Sequence, residues 1–325
     1  MSIEKKLMKE FQHHSEHLSC PPSLDTRISA LYRDHILEKR GRGNMHKTLF
    51  FKRGVIITLL LIILSGFAYG GTLLFQTEKE NISIDYTAYA DLSLDKTTLE
   101  KVRNSLREVH NQLQSGETAV VYFSELDQKN EMFENMPLLT VAKPMVINQK
   151  QDWNQVLIRN DINVNIPDTV IGTYHFTGGM KGLPFGAFIG MELIPLKEEL
   201  KAESKETGKN VVWRKVSNTN QPVVESYTMI YQDEHQDKIY YTLQLANEKI
   251  ILKGMVPESS LYEIMDINEN QAYYMKEDQF MYGDSSVNQS IMWITTRGDQ
   301  TFLNTVSTDF KMITKEQLKE AAKSF

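Results

Sequence analysis

The stretch "GVIITLLLIILSGFAYGGTLLF", Gly54 to Phe75, runs 22 residues without a charge and divides the chain into two parts of opposite sign. At about 1.5 Å per helical residue it is long enough to cross a hydrocarbon core of about 30 Å. A run of this length has no polar stripe to turn toward water, so the sequence predicts a transmembrane helix over residues 54–75 rather than a buried core helix. Residues 1–53 carry 11 basic and 6 acidic residues, and the rest carry 25 basic and 36 acidic, so the two sides differ in sign. Lys39, Arg40, Arg42, Lys47, Lys52 and Arg53 precede the run, whereas Glu78, Glu80 and Asp85 follow it. The positive-inside rule then predicts a single-pass protein of the cell membrane, with the N-terminus cytoplasmic and the C-terminal part outside. Ala68-Tyr69-Gly70 has the small-residue spacing of a signal-peptide cleavage site. Residues 1–53 with their helical patterning precede the run, however, and this favours an uncleaved anchor.

Composition bounds the remainder. The chain has 325 residues, 41% of them hydrophobic and 10% aromatic, which is globular rather than disordered. Cys20 is the one cysteine. No intramolecular disulfide can form, so the outer part must fold by packing alone.

Residues 1–40 read as a cytoplasmic head of two amphipathic helices. Ile3, Leu7, Phe11 and Leu18 recur at helical spacing in the first, which Cys20-Pro21-Pro22 ends. Leu24, Ile28, Leu31 and Tyr32 form the stripe of the second, with Ser23 and Asp25 at its start. Two helices of this length cannot bury both stripes in a core of their own, so a partner must cover Ile3, Leu7, Phe11, Leu24, Ile28 and Leu31. Residues 41–53 form a basic linker suited to anionic lipid headgroups rather than to nucleic acid.

Beyond the run, residues 76–165 read as a juxtamembrane helix and strand region. "SLDKTTLEKVRNSLREVHNQLQSGE" spaces Leu99, Val102, Leu106, Val109 and Leu113 by 3 and 4 and places Gly116 to stop a helix. "TAVVYFSEL" follows as a strand. Residues 166–325 read as a separate extracytoplasmic domain, because "TVIGTYHF", "NVVWRKV", "PVVESYTMIYQD", "KIYYTLQLA", "QAYYMK", "SIMWITT" and "QTFLNTVS" alternate apolar and polar residues between polar turns. Thr314 and Gln317 open the final "TKEQLKEAAKSF" as a capping box. The expected fold is therefore α+β: a helical hairpin, one transmembrane helix, and antiparallel strands with helices at both ends. The polar "QTEKENISIDYTAY", Gln76 to Tyr89, is expected to lie open to a protease near the membrane.

"INENQAYYM", "IMWITTRGDQTFLNTVS" and "ITKEQLKEAAKSF", in this order and spacing, resemble a domain of unknown function carried outside the membrane by anti-sigma-factor-like proteins of Gram-positive bacteria. "LQSGETAVVYFSEL" and "PPSLDTRISALY" resemble their juxtamembrane and cytoplasmic segments. The resemblance touches all three regions, is strong over residues 260–325, and is carried by structural rather than catalytic motifs. It implies a regulator of transcription and signal transduction that holds an extracytoplasmic-function sigma factor at the membrane. Stress outside, acting through the outer domain or a site-specific membrane protease, would release that factor.

His13, His17 and Cys20 fall at i, i+4 and i+7, on one helical face. Zinc-binding anti-sigma factors use His-x3-Cys-x2-Cys at this spacing, so His17 would stand where a cysteine is usual. Zinc would need a fourth ligand, from Glu10, His35 or His46. The competing reading makes the histidines solvated and Cys20 an apolar end-cap, with no cofactor.

"TGGMKGLPFGAFIG", Thr177 to Gly190, lacks a phosphate-loop ending and reads as a loop or bulged strand, or as the lip of a ligand groove. Trp153, Trp213 and Trp293 fit core better than a sugar-binding face. His175 and His235 are isolated, no nucleophile elbow or metalloprotease motif occurs, and no catalytic residue or enzyme activity is expected. The alternative to a regulator is an envelope protein whose outer domain holds lipid, peptide or cell-wall polymer.

Overall fold

The computed structural model describes residues 71–129, 138–186, 194–216, 224–246 and 249–325. The head, the basic linker and the uncharged run as far as Gly70 lie outside the described residues. So do His13, His17, Cys20, Ile3, Leu7, Phe11, Leu24, Ile28 and Leu31. Among the described residues no helix is long and apolar enough to cross a membrane.

The described chain opens with strands β1 (Thr72–Lys79) and β2 (Ile82–Tyr89), then helix α1 (Lys96–Gln112), β3 (Glu117–Phe123) and the one-turn α2 (Ser124–Asp127). It continues through β4 (Leu138–Lys143), β5 (Val146–Ile147), α3 (Lys150–Arg159), β6 (Thr169–Val170), β7 (Tyr174–Lys181) and α4 (Ile194–Thr207). Strands β8 (Val211–Val216), β9 (Glu225–Gln232), β10 (Lys238–Ala246), β11 (Ile250–Pro257), β12 (Leu261–Ile267) and β13 (Asn270–Glu277) follow. The chain ends in β14 (Asn288–Arg297), β15 (Gln300–Thr308) and α5 (Lys315–Lys323). This is an α+β protein of mostly antiparallel sheets, as the alternation predicts.

The large sheet runs β12-β13-β14-β15-β10-β9-β7-β5, with β6 paired to β7. Its central strands β14 and β15 are apolar on both faces because both faces are covered, whereas the edge strand β12 leaves Leu261 and Ile264 exposed. Ile291 and Trp293 of β14, with Phe302 of β15, join a core that includes Trp153 and Leu157 of α3 and Leu318, Ala321 and Ala322 of α5. The alternate residues Met292, Ile294 and Leu303 join a second core with Phe75, Ile82, Ile84, Ile250 and Leu252. That core is roofed by a small sheet, β1-β2-β11, in which β11 runs parallel to β2 from Ile250 opposite Ile82. A third sheet, β4-β3-β8, carries α1 through Leu99, Val102, Leu106 and Val109.

Local signals account for the boundaries. Asp95 caps α1 by accepting from the Thr98 amide at 3.0 Å. The helix stops at Gln112, and Gly116 takes φ +89 in the turn after it rather than at the helix end. In α5, the Thr314 side chain and Gln317 form the expected capping box. Asn268 and Glu269, at φ 47 and 67, make the two-residue β12–β13 turn, the dihedral signs that a tight hairpin requires.

Four expectations are corrected. Thr72 to Phe75, the end of the uncharged run, begins β1, because alternate residues there can pair with β2 and bury Phe75. Gln76 to Tyr89 is not an open tether: it forms most of the first hairpin, with Ile82, Ile84 and Ala88 buried. Helices also occur inside the strand order, where α3 buries Trp153 and Leu157 at i, i+4. The stretches expected as separate on either side of residue 165 share sheets, through β3 with β8 and β5 with β7.

Candidate functional site

A cavity of about 540 Å³ opens between α1, the β4–β5 segment, the β9–β10 hairpin and the loop before β14. Its size suits a small organic molecule. On α1, Arg103, Arg107 and His110 fall at i, i+4 and i+7 and line it beside Leu106, whose neighbours on the apolar stripe hold the helix to the third sheet. Lys143 enters from β4 and Lys238 from the start of β10. Apolar lining comes from Val141, Met180, Phe185, Ile230 and Tyr240.

The far wall is braced. Arg103 Nη2 donates to the carbonyl oxygens of Gly283 and Asp284, at 3.2 and 2.5 Å. The Asp284 amide donates to Asp309 Oδ2 at 2.6 Å, and the Ser285 hydroxyl to the Asp309 carbonyl at 2.5 Å. Gly283 sits so close to Asp309 that a side chain there would meet its Cβ at 2.7 Å. Arg103 Nε is buried without a hydrogen-bond partner among the described residues. Lys143 Nζ donates to the Leu113 carbonyl at 2.9 Å and so closes the end of α1.

The electrostatics follow from this packing. Burial, and then the charge of Lys143, push the His110 imidazole below its ordinary pKa and favour the neutral ring. Burial pushes the Asp309 carboxyl up, against the Asp284 amide that donates to it. The Asp284 carboxylate reaches Arg107 Nε at 3.8 Å, but its side chain is 90% exposed, so this pair is weak. Four cationic side chains thus face two carboxyl groups, one of them out in solvent.

The glycine-rich stretch reaches this site. Thr177 to Lys181 belong to β7, with a bulge between Phe176 and Gly178, as a bulged strand predicts. Phe185 packs edge-on against Tyr240 and Phe280, with ring centroids 5.1 and 4.9 Å away. Gly186 passes so near β4 that a Cβ would lie 2.3 Å from the Thr140 carbonyl oxygen. Met180, Phe185 and Gly186 line the cavity.

The other sequence candidates do not converge. His175 and His235 are exposed and lie outside the cavity lining. Trp153 and Trp293 are buried in one core, and Trp213, on β8 of the third sheet, packs against the core beneath α1, so they form no open aromatic face. Among the described residues no His, Cys, Asp and Glu side chains gather into a metal-holding group. Sequence reasoning passed over Arg103, Arg107 and His110. Their helical spacing next to the apolar stripe was the available signal, whereas Lys143 and Lys238 are brought in only by the sheet pairings.

No protein-family model matches the chain, no curated protein matches its sequence, and no solved structure matches its fold.

Proposed function

We propose that this chain is a membrane-anchored sigma-factor regulator, most simply an anti-sigma factor. Residues 1–40 hold an extracytoplasmic-function sigma factor in the cytoplasm, and the α+β domain lies outside and governs release. One observation carries the reading: in sequence the uncharged run leads directly into β1, the first described strand, so an anchor formed by that run would meet the folded domain at Gly71. Even without the residues of β1, Gly54 to Gly71 leaves 18 uncharged residues, within the range of about 17–25 that spans a bilayer. The change of charge sign across the run and the helical spacing of apolar residues in residues 1–40 support the same reading. So does the resemblance to anti-sigma-factor-like proteins, which is strongest over residues 260–325.

Release by cutting at Gln76–Tyr89 requires the β1–β2 hairpin to open first, so the folded hairpin acts as the guard of that segment. The full chain is expected to co-purify a sigma factor, and Leu24→Asp with Ile28→Asp is expected to abolish capture. A wild-type chain that retains no sigma factor overturns the reading.

The cavity favours a second reading, an envelope binding protein with a dispensable head. Deleting residues 1–40 separates the two: an unchanged envelope-stress response supports the binding protein, and a constitutive response supports the regulator.

A further inference from the structure

The cleft beside α1 is cationic on a body that is acidic. Residues 54–325 carry 25 basic and 36 acidic residues, yet Arg103, Arg107, Lys143 and Lys238 converge on one cavity. Cations gathered in a concave, partly apolar site focus a positive potential that the surrounding acidic surface does not provide. Like charges drawn together cost free energy unless something offsets them, and the available carboxyl groups are poor counterparts. Asp284 points largely into solvent, and Asp309 is engaged by the amide of Asp284.

We propose that this cleft binds an organic anion. A phosphate or carboxylate group would meet Arg107 and Lys238, with Arg103 behind them, and an apolar body would lie against Leu106, Met180 and Phe185. Arg103 is already fixed by the carbonyl groups of Gly283 and Asp284, so part of the site is in place before a ligand arrives. Arg107 and Lys238 reach solvent and can turn to the anion, where charge-assisted hydrogen bonds are about twice as strong as neutral ones. The assignment concerns the folded domain and does not depend on what the head binds.

The test uses the full chain in neutral detergent at constant ionic strength, with phenyl phosphate as the probe and thermal unfolding as the readout. A ligand of the folded state raises Tm in proportion to its saturation. Phenyl phosphate is expected to give a saturable rise. Arg107→Gln with Lys238→Gln is expected to weaken the apparent affinity about tenfold or more, while the unliganded Tm stays near that of the wild type. Arg107→Lys should keep most of the response. Phenyltrimethylammonium, which shares the ring but carries the opposite charge, should give none.

Micelles doped with phosphatidylglycerol, compared with phosphatidylcholine, identify the source. A rise that needs no phenyl phosphate and vanishes in the double variant assigns the anion to a lipid headgroup. A rise with phenyl phosphate alone assigns it to a free molecule. The absence of a saturable shift in both arms overturns the proposal, as does a shift that the double variant leaves intact or an equal response to the cation.

Discussion

Phe75 stacks on Tyr273 with ring centroids 4.4 Å apart and planes within 9°, which fastens the first strand of the domain to the second strand of the large sheet. Tyr86 and Tyr262 stack on the same ring at 5.1 and 5.4 Å. The residue that sequence reasoning placed at the end of a membrane helix is thus the centre of an aromatic cluster. Phe75→Ala is expected to lower stability by about 3–5 kcal/mol, since it removes a buried ring and leaves a cavity. Limited proteolysis should spare Gln76 to Tyr89 in the wild type and cut there in the variant. Equal cutting of both would show that the hairpin does not guard this segment.

Asn304 is buried between β14 and β10 and uses its whole amide. Its Oδ1 accepts from the Tyr241 hydroxyl at 2.8 Å, and its Nδ2 donates to Trp293 O at 3.2 Å and Thr295 Oγ1 at 2.9 Å. Asn304→Leu strands the Tyr241 hydroxyl inside a core. The expected cost is about 2–4 kcal/mol in chemical denaturation. Adding Tyr241→Phe should recover part of it, because both ends of one bond are then apolar. A double variant no more stable than the single one would refute the pairing.

Gly179 of β7 lies directly under the indole of Trp153, where a Cβ would sit 2.0 Å from Cδ2. Trp153 is fully buried and has no room to withdraw. Gly179→Ala should therefore lift α3 from the sheet, with a loss of about 1–3 kcal/mol and a red-shifted tryptophan emission. Unchanged emission and stability would mean that this contact is looser than described.

Glu277, at the end of β13, has its carboxyl pushed up to about 7, first by burial and then by the charge of Asp278. The folded state therefore holds a proton that the unfolded chain releases near the ordinary value of 4.5. Stability from this group is full below about pH 4.5 and is lost as pH rises through about 7. Tyr86 is pushed up to about 12 by burial and by Glu277, and Tyr282 is raised by the same two causes. Glu277→Gln should keep the neutral form at every pH. Its Tm should exceed that of the wild type at about pH 8 and match it near about pH 5. A wild-type Tm that falls no faster than the variant's across this range would contradict the assignment.

Much of the described fold was legible because alternation and turns are local. The β14–β15 hairpin was readable from "IMWITTRGDQTFLNTVS", with Gly298 in its turn at φ 63, and the α5 cap from Thr314 and Gln317. What eluded the sequence was long-range pairing. Nothing near Ile82 announces that Ile250 lies beside it, and "QTEKENISIDYTAY" looks polar because one face of its strands meets solvent. The helix of Trp153 was hidden because only Trp153 and Leu157 are buried in it, too few to register as a periodic stripe. The cleft combined both difficulties. Its helical half was visible in the spacing of Arg103, Arg107 and His110, and its strand half became visible only when β4 and β10 came together around it.

The parallel pairing of β2 with β11 also sets an order in time. During synthesis the hairpin at residues 72–89 emerges early, but the strand that completes its sheet ends at Pro257. A two-stranded ribbon on its own is marginal in water, and Ile82 and Ile84 would stay uncovered until that later strand arrived. Such distant pairing is slow to form. While it is incomplete, the nascent chain presents an apolar, unpaired edge beside the uncharged run, and this is the interval in which a chaperone or a quality-control protease would meet it.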